Sequence, residues 1–246
     1  MQAIIMAAGK GSRLGNLTDD KPKSFLEVEN HKLIDYNIKL LKKYGVRDII
    51  IVTGYRCEQF EDYVKQYNGV KCIFNPFYEM VNVLGSFYVA QEYLKEDTIY
   101  MHADTLCAPQ IFEKMIFTDA DMVLPVEFKR CDEEAMKVCT ADDKIIKISK
   151  KIPCDEAEGE FIGVAKIGRN VLEDLKKASK KLMIQKMFPA YFEAAIEELI
   201  KLNKYYIKAV PTEDWFWGEI DFLEDYERVK NEIPENLIEI VKENVR

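Results

Sequence analysis

Residues 3–14 read AIIMAAGKGSRL, and residues 21–23 read KPK. An uninterrupted apolar run that ends at a glycine is typical of a strand buried on both faces of a sheet. Gly9 and Gly11 would allow the backbone to adopt positive φ and to approach a bulky anion, and consecutive N–H groups in such a turn bind phosphate oxygens. This stretch therefore predicts a buried strand followed by a phosphate-binding loop.

Four basic residues lie in or shortly after the predicted loop, namely Lys10, Arg13, Lys21 and Lys23. The whole chain has 43 acidic and 35 basic residues and a formal net charge of -8, so this local positive charge runs against the overall balance. Such a cluster favours an anionic ligand. An ordinary strand-to-loop turn with solvated lysines is the alternative on glycine spacing alone.

Two common nucleotide-binding motifs do not match this loop. A dinucleotide-binding fingerprint requires a third glycine at the position of Leu14 and a carboxylate at the end of the second strand, but that strand ends in Thr53-Gly54-Tyr55. A Walker A motif requires four residues between its first glycine and its Gly-Lys pair, and residues 9–12 do not provide them. The sequence therefore disfavours both classes of loop.

The loop resembles the signature of the nucleotidyltransferases that join a nucleoside triphosphate to a sugar phosphate or an alcohol phosphate and release pyrophosphate. Their pattern is a first strand, Ala-Gly, then Gly-x-Gly-x-Arg-Leu and a later Pro-Lys, and it is matched by residues 8–14 and by Pro22-Lys23. Gly15 departs from the pattern, since many sugar-phosphate members carry proline there. The resemblance implies the nucleotidyltransferase fold and an enzymatic activity.

The composition indicates one folded domain of residues 1–246. The chain is 48% hydrophobic, which suffices for a full core. No window approaches the roughly 18 uninterrupted apolar residues of a membrane helix, and the N-terminus lacks the basic region of a signal peptide, so we expect a cytoplasmic protein without membrane insertion. The acidic balance argues against binding to nucleic acid, which requires a basic face.

Apolar runs alternate with helical periodicity through the first half of the chain. The sequence predicts strands at residues 48–53, 70–74, 98–103 and 121–126, with helices between them. This alternation is typical of an α/β, Rossmann-like fold, a mostly parallel sheet flanked by helices. The later pattern predicts a hairpin at 136–148, strands at 160–166 and 205–210, and helices near 171–180 and 190–202. We expect residues 1–126 to form the nucleotide-binding core and residues 127–246 an acceptor-binding elaboration.

Two aspartates stand at the ends of predicted elements. Asp104 closes the buried strand, where a carboxylate has no hydrophobic role, and Asp221 precedes a predicted helix near Phe222. Carboxylate oxygens are the ligands that Mg²⁺ prefers, so both aspartates are candidate metal ligands. The alternative role for Asp221 is the N-cap of the predicted helix. The resemblance implies that Asp104 and Asp221 hold Mg²⁺ together, because the family uses one aspartate at the end of a central strand and a second late in the chain.

The same resemblance implies the residues that bind the nucleotide. Arg13 and Lys23 would contact the triphosphate as catalytic residues, with Lys23 nearest the reacting phosphorus. The loop residues that would surround the phosphates are Ala8, Gly9, Gly11 and Ser12. Asn82, Gly85 and Ser86 match the family positions that recognise the base and the ribose, although Asn82 also suits the N-cap of a helix.

Within the family, the chain is similar over most of its length to the cytidylyltransferases for phosphocholine and for 2-aminoethylphosphonate. The expected acceptor-binding residues combine aromatic rings, carboxylates and a lysine for the acceptor phosphate: Tyr191, Trp215, Trp217, Glu160, Glu193, Glu219 and Lys150. Aromatic faces bind a quaternary ammonium, and carboxylates accept hydrogen bonds from a primary one, so both classes of acceptor stay open. Ordinary core packing is the alternative for each aromatic residue, and a solvated charge run is the alternative for Lys150.

The sequence therefore predicts a Mg²⁺-dependent cytidylyltransferase that transfers CMP from CTP to phosphocholine or a related aminoalkyl phosphate or phosphonate such as 2-aminoethylphosphonate. A hexose-1-phosphate nucleotidylyltransferase is one alternative, disfavoured by Gly15 and by the aromatic residues. A nucleotide-sensing module without catalysis is another, disfavoured by Lys23, Asp104 and Asp221. Base preference, acceptor identity and oligomeric state, including a homodimer, stay open.

Overall fold

The first strand alternates its apolar side chains between the two faces of the central sheet. In the computed structural model, which describes residues 1–243, Ala3 and Ile5 pack into one core, and Ile4 and Met6 pack into the other. Strands of this kind read as continuous apolar runs because helices cover both faces. The expected buried strand is therefore confirmed.

Residues 1–243 form fourteen β-strands and eight α-helices. The strands are β1 (Gln2–Ala7), β2 (Glu27–Val28), β3 (His31–Lys32), β4 (Asp48–Thr53), β5 (Val70–Phe74), β6 (Thr98–His102), β7 (Thr105–Cys107), β8 (Met122–Glu127), β9 (Lys137–Ala141), β10 (Lys144–Ile148), β11 (Gly159–Phe161), β12 (Val164–Ile167), β13 (Ile207–Pro211) and β14 (Trp217–Glu219). The helices are α1 (Leu33–Lys43), α2 (Cys57–Tyr63), α3 (Val83–Ala90), α4 (Pro109–Phe117), α5 (Arg169–Ile184), α6 (Glu193–Leu202), α7 (Leu223–Glu232) and α8 (Glu235–Lys242). Within the described residues, none of these helices could serve as a transmembrane segment.

Ten of the strands form one sheet in the order β11-β9-β10-β13-β8-β12-β6-β1-β4-β5. The strands β6, β1, β4 and β5 are parallel to one another, and β13 is parallel to β8. The strand β12 pairs antiparallel with both β6 and β8, and β9, β10 and β11 also pair antiparallel. The expected α/β architecture is confirmed, but the sheet is mixed, because the second half of the chain adds antiparallel strands to the same sheet.

The helices cover the sheet on both sides. Helices α1, α2, α4, α7 and α8 contribute to one core, and α3, α5 and α6 contribute to the other. The strands β1 and β6 are neighbours and run in the same direction, so the loops that follow them meet at one edge of the sheet. The candidate site lies at this edge.

Three local features differ from the sequence predictions. An additional helix, α4, begins at Pro109, a residue that suits the first position of a helix. The single strand expected at residues 160–166 is two strands, because Gly163 interrupts it with a φ of 78°. A Cβ at Gly163 would lie 2.8 Å from His102 Nδ1, so the chain turns there directly beside the site. The helix expected from residue 190 begins at Glu193.

Candidate active site

The loop after β1 is held by hydrogen bonds to the carbonyl oxygen of Gly11. Gly11 has a φ of 68°, and its carbonyl accepts from Leu14 N and from Thr18 Oγ1, each at 3.0 Å. Gly9 is not among the described residues with positive φ, and a Cβ added there would meet nothing within 4 Å. The expected positive φ is therefore confirmed for Gly11 and wrong for Gly9, whose place in the loop instead leaves open space beside the backbone.

Lys23 packs against this loop and connects it to the two aspartates. A Cβ on Gly11 would approach the Cβ of Lys23 to 3.0 Å, so the glycine allows the lysine to lie directly against the loop. Lys23 Nζ lies 2.5 Å from Asp104 Oδ2 and 2.6 Å from Asp221 Oδ1. Arg13 Nη1 lies 3.3 Å from Asp221 Oδ2. The two carboxylates therefore converge on one cationic group and have oxygens within about 5 Å of each other.

A short antiparallel ladder brings the two aspartates together from distant parts of the chain. The strand β14 pairs with β7, and Ile220 N donates a hydrogen bond of 3.1 Å to Asp104 O. The N-cap role considered for Asp221 is wrong, because Asp225 Oδ2 accepts hydrogen bonds from the backbone N–H groups of Asp221 and Phe222. The carboxylate of Asp221 is therefore available to the site.

Burial and charge act in opposite directions on the central groups. Burial lowers the pKa of Lys23, but the carboxylates of Asp104 and Asp221 outweigh this effect and raise the pKa above the ordinary lysine value. Burial raises the pKa of Asp104, but Lys23 and His102 outweigh this effect and hold the pKa below its ordinary value. At neutral pH the lysine is therefore charged and Asp104 is ionised.

His102 connects Asp104 to the other end of the site. Its Nε2 lies 2.9 Å from Tyr100 Oη, and its Nδ1 lies 3.3 Å from Glu219 Oε1. Burial lowers the pKa of His102, but Glu219 and Asp104 outweigh this effect and raise the pKa to about 9. His102, Asp104 and Glu219 each offer one possible ligand atom, and these three atoms lie within 4.8 Å of one another. One metal ion could bridge this spacing. His102 therefore positions Glu219 and adds positive charge beside Asp104.

Two adjoining cavities meet at the aspartates. The smaller cavity, of about 250 Å³, contains the predicted residues Gly9, Gly11, Ser12, Arg13 and Lys23 together with Asp104 and Asp221. The larger cavity, of about 560 Å³, contains Ala8 and shares Gly9, Arg13, Asp104 and Asp221 with the smaller one. The structure therefore brings the predicted loop residues and both predicted metal ligands to one place.

Two of the three predicted base- and ribose-binding residues line the larger cavity, and the third does not. Asn82 and Ser86 line the larger cavity. Asn82 also caps α3, since its Oδ1 accepts from the first backbone N–H of the helix at 2.7 Å, and Ser86 Oγ accepts from Asn75 Nδ2 at 3.0 Å. Gly85 does not line either cavity within the described chain, and a Cβ there would meet Val81 Cβ at 2.5 Å. Its contribution is therefore close packing of α3 on the preceding loop.

Five of the predicted acceptor-binding residues line the larger cavity, namely Lys150, Glu160, Tyr191, Glu193 and Glu219. Trp215 and Trp217 do not line it in residues 1–243, and both are half-buried against the core on the side of α1 and α4. The ammonium of Lys129 lies 5.2 Å from the centroid of the Trp217 ring. The structure therefore places these two tryptophans outside the larger cavity, where they pack against the core in and beside β14.

Sequence reasoning does not identify several residues that line the site. Ser24 Oγ is buried at the smaller cavity without a hydrogen-bond partner among the described residues, and its place next to Lys23 is a signal that could identify it. His102 lies two residues before Asp104, so strand periodicity would place both side chains on the same face of the sheet. Tyr78 and Glu134 line the larger cavity from loops, and nothing in their local sequence distinguishes them.

The mixed α/β sheet, the glycine loop after β1 and the basic residues facing two aspartates together define a nucleotidyltransferase. Residues 3–187, about three quarters of the chain, match the family described as the MobA-like NTP transferase domain. The chain belongs to this family.

Individual relatives agree with this assignment. The chain is 30% identical to CTP:phosphoglutamine cytidylyltransferase of Campylobacter jejuni, over 92% of this chain and 98% of the relative. It is 31% identical to choline-phosphate cytidylyltransferase of Streptococcus pneumoniae, over 94% and 97% of the two chains. The solved structure of CTP:phosphocholine cytidylyltransferase from Streptococcus pneumoniae matches with a TM-score of 0.80 and 28% identity, over 95% and 99%. The similarity therefore extends beyond the phosphate loop to nearly the whole chain.

Proposed function

We propose that this protein transfers CMP from CTP to a phosphorylated or phosphonylated amino alcohol, phosphocholine or a related compound such as 2-aminoethylphosphonate, and releases pyrophosphate. The observation that carries the proposal is the position of Asp104 and Asp221 where the phosphate-loop cavity meets the larger cavity, with Lys23 Nζ in contact with both carboxylates. An acceptor in the larger cavity would meet a triphosphate on the loop at this junction. The names of the similar cytidylyltransferases support CTP as the donor.

The reaction joins two anions, so the site must supply positive charge and alignment. An oxygen of the acceptor phosphate attacks the α-phosphorus of CTP and forms a new P–O bond. The bond between the α-phosphorus and the bridging oxygen of the β-phosphate breaks, and pyrophosphate leaves with that electron pair. In the proposal, Lys23 and Arg13 stabilise the negative charge on the transferred and leaving groups. The acceptor is already anionic, so the protein need not supply a nucleophile.

Asp104 and Asp221 would hold Mg²⁺ in this proposal. Their carboxylates offer hard oxygen ligands that converge on one cationic group, which fits the preference of this ion. A bound Mg²⁺ would add positive charge at the triphosphate. Lys23 lies between the same carboxylates, so the lysine and the ion compete for them.

Two features support an amino acceptor over a hexose phosphate. Gly15 has a φ of 55°, whereas proline is restricted to a φ near -65°, so this loop differs from the proline-bearing pattern of many sugar-phosphate members. The carboxylates of Glu160, Glu193 and Glu219 line the larger cavity. Glu160 and Glu219 have basic partners on the protein, so a cationic acceptor would offset the charge of Glu193, and a neutral hexose would not.

Pyrophosphate release tests the proposal, with each of the four nucleoside triphosphates and a panel of acceptors. The panel contains phosphocholine, phosphoethanolamine, 2-aminoethylphosphonate, phosphoglutamine and glucose 1-phosphate. We expect release with CTP and an amino acceptor, and its loss when EDTA removes divalent cations. Release with glucose 1-phosphate alone would support the hexose alternative, and nucleotide binding without release would support a sensor. That the protein is cytoplasmic and that it forms a homodimer are further predictions.

A further inference from the structure

We propose that the acceptor carries a primary ammonium group and that Glu193 binds it. This inference rests on the proposed function, because it names the class of acceptor for the same site. It separates two chemistries that the sequence leaves open, since a primary ammonium donates hydrogen bonds to a carboxylate and a trimethylammonium has no N–H group to donate.

Glu193 is a buried carboxylate of the larger cavity with an unpaired oxygen. The residue is 2% exposed and lines the cavity, and its Oε2 has no hydrogen-bond partner among the described residues. It is the first residue of α6, and the preceding Phe192 stacks on Tyr100 with ring centroids 3.9 Å apart. This packing holds the carboxylate in place. A buried carboxylate requires a donor or a cation, and a ligand ammonium supplies both.

Of the four other glutamates that line the larger cavity, three have basic partners on the protein, and the fourth, Glu79, is exposed to solvent. Glu160 is 2.9 Å from Lys129 Nζ, Glu219 is 3.3 Å from His102 Nδ1, and Glu134 is 3.5 Å from Lys150 Nζ. These three pairs already balance their charges. Of the five glutamates that line the cavity in residues 1–243, Glu193 is the buried one, and it forms no salt bridge there. Glu193 is therefore the carboxylate at which a ligand cation adds a missing interaction.

Three aromatic residues line the larger cavity, namely Tyr78, Phe161 and Tyr191, and the two tryptophans expected there do not. Trp215 and Trp217 lie outside the cavity. Tyr191 lines it, but the ammonium of Lys150 lies 5.1 Å from the centroid of its ring, so the protein already supplies a cation beside that ring. A trimethylammonium depends on free aromatic faces for much of its binding. The unpaired oxygen of Glu193 and the lysine beside Tyr191 therefore favour the acceptor with N–H donors.

Burial also shifts the pKa of Glu193 in a direction that a ligand ammonium would oppose. Burial raises the pKa of Glu193 above its ordinary value, and the nearby charge of His102 opposes this only in part. A ligand ammonium stabilises the ionised carboxylate, so binding and ionisation support each other.

A methylation series of acceptors tests the inference on the wild-type protein. The acceptors are phosphoethanolamine, its N-methyl and N,N-dimethyl derivatives, and phosphocholine, with CTP as donor and pyrophosphate release as the signal. We expect kcat/KM to fall along the series by at least about tenfold, with the largest step at the last methyl group, which removes the final N–H. Equal or higher kcat/KM for phosphocholine would overturn the inference.

A matched pair of variants on α6 tests the residue. Glu193→Gln should raise KM for phosphoethanolamine by about tenfold or more, with little change in KM for CTP. It should also reduce the ratio of kcat/KM for phosphoethanolamine to that for phosphocholine to within about threefold. Glu198→Gln, on the same helix but paired with Lys201 outside the cavity, should leave all of these values unchanged. If Glu193→Gln keeps the wild-type preference, Glu193 does not bind the ammonium.

The two proposals fail differently in these assays. Turnover of all four amino acceptors at equal kcat/KM would refute the preference for a primary ammonium. It would leave the proposed transfer reaction in place. No pyrophosphate from any amino acceptor would refute the proposed function itself. If Glu193→Gln does not fold, as judged by its thermal melt, the wild-type methylation series decides the inference without it.

Discussion

Replacing Lys23 by methionine removes the cation that lies between the two aspartates and keeps an aliphatic side chain against Gly11. In the wild-type protein, Lys23 Nζ lies 2.5 Å from Asp104 and 2.6 Å from Asp221. In Lys23→Met, the two carboxylates would face each other without this positive charge. The variant should therefore be less stable when divalent cations are absent.

The size of the effect follows from the burial of the three side chains. Removing one partner of a buried ion pair typically costs about 3–5 kcal/mol. The side chains of Lys23 and Asp104 are 11% and 22% exposed, whereas that of Asp221 is 38% exposed, so water screens the second contact more strongly. We expect a loss of about 2–4 kcal/mol in free energy of unfolding. For a chain of this length, that corresponds to a decrease in Tm of roughly 5–15 °C.

Thermal melts in EDTA and in a Mg²⁺ titration measure this effect. We expect Mg²⁺ to stabilise Lys23→Met more than the wild type, because the ion restores the missing charge in the variant but must compete with the lysine in the wild type. Lys201→Met is the control, since Lys201 pairs with Glu198 outside both cavities. The reasoning is refuted if Lys23→Met melts like the wild type in EDTA, or if Mg²⁺ shifts the Tm of both proteins equally.

Three further predictions test other parts of the account. Asp104→Asn and Asp221→Asn should each lower kcat by about 10²–10³-fold while circular dichroism still shows a folded chain, and near-normal turnover in both would contradict their proposed role. Gly54→Ala should lower the free energy of unfolding by about 1–3 kcal/mol in urea titrations, because its Cβ would lie 2.6 Å from Ala8 O; an unchanged urea midpoint would contradict this. Hydrogen bonds from neighbouring lysines and a tyrosine hold the pKa of Asp174 below its ordinary value, so this stabilisation is present at neutral pH and is lost as the pH falls below about 4. The urea midpoints of wild type and Asp174→Asn should therefore converge in acid, and a constant gap would contradict the assignment.

Local sequence suffices for β1, for the positive φ of Gly11 and for the first metal-ligand candidate, but not for Gly9, which lacks the expected positive φ. The apolar run of β1 and the conformation of Gly11 depend on neighbouring residues, so both can be predicted from the sequence. Asp104 stands out because a carboxylate directly after a buried strand has no role in the core. The sequence therefore predicts the charged groups of the smaller cavity.

Contacts between distant segments decide the features that the sequence could not place. Asp225 and Asp221 both lie close enough in sequence to cap α7, and the fold assigns the cap to Asp225 while Asp221 pairs with Lys23. Trp217 lies outside the larger cavity because β14 pairs with β7, which is remote in sequence. The unpaired oxygen of Glu193 likewise depends on which basic residues other loops bring near it.

A crystal structure of the protein with CTP and Mg²⁺ tests the central claim most directly. The account predicts the triphosphate on the loop of residues 9–13, one cation bound by both Asp104 and Asp221, and Lys23 in contact with a phosphate oxygen. A nucleotide bound elsewhere, or a cation that only one of the two aspartates contacts, would contradict it.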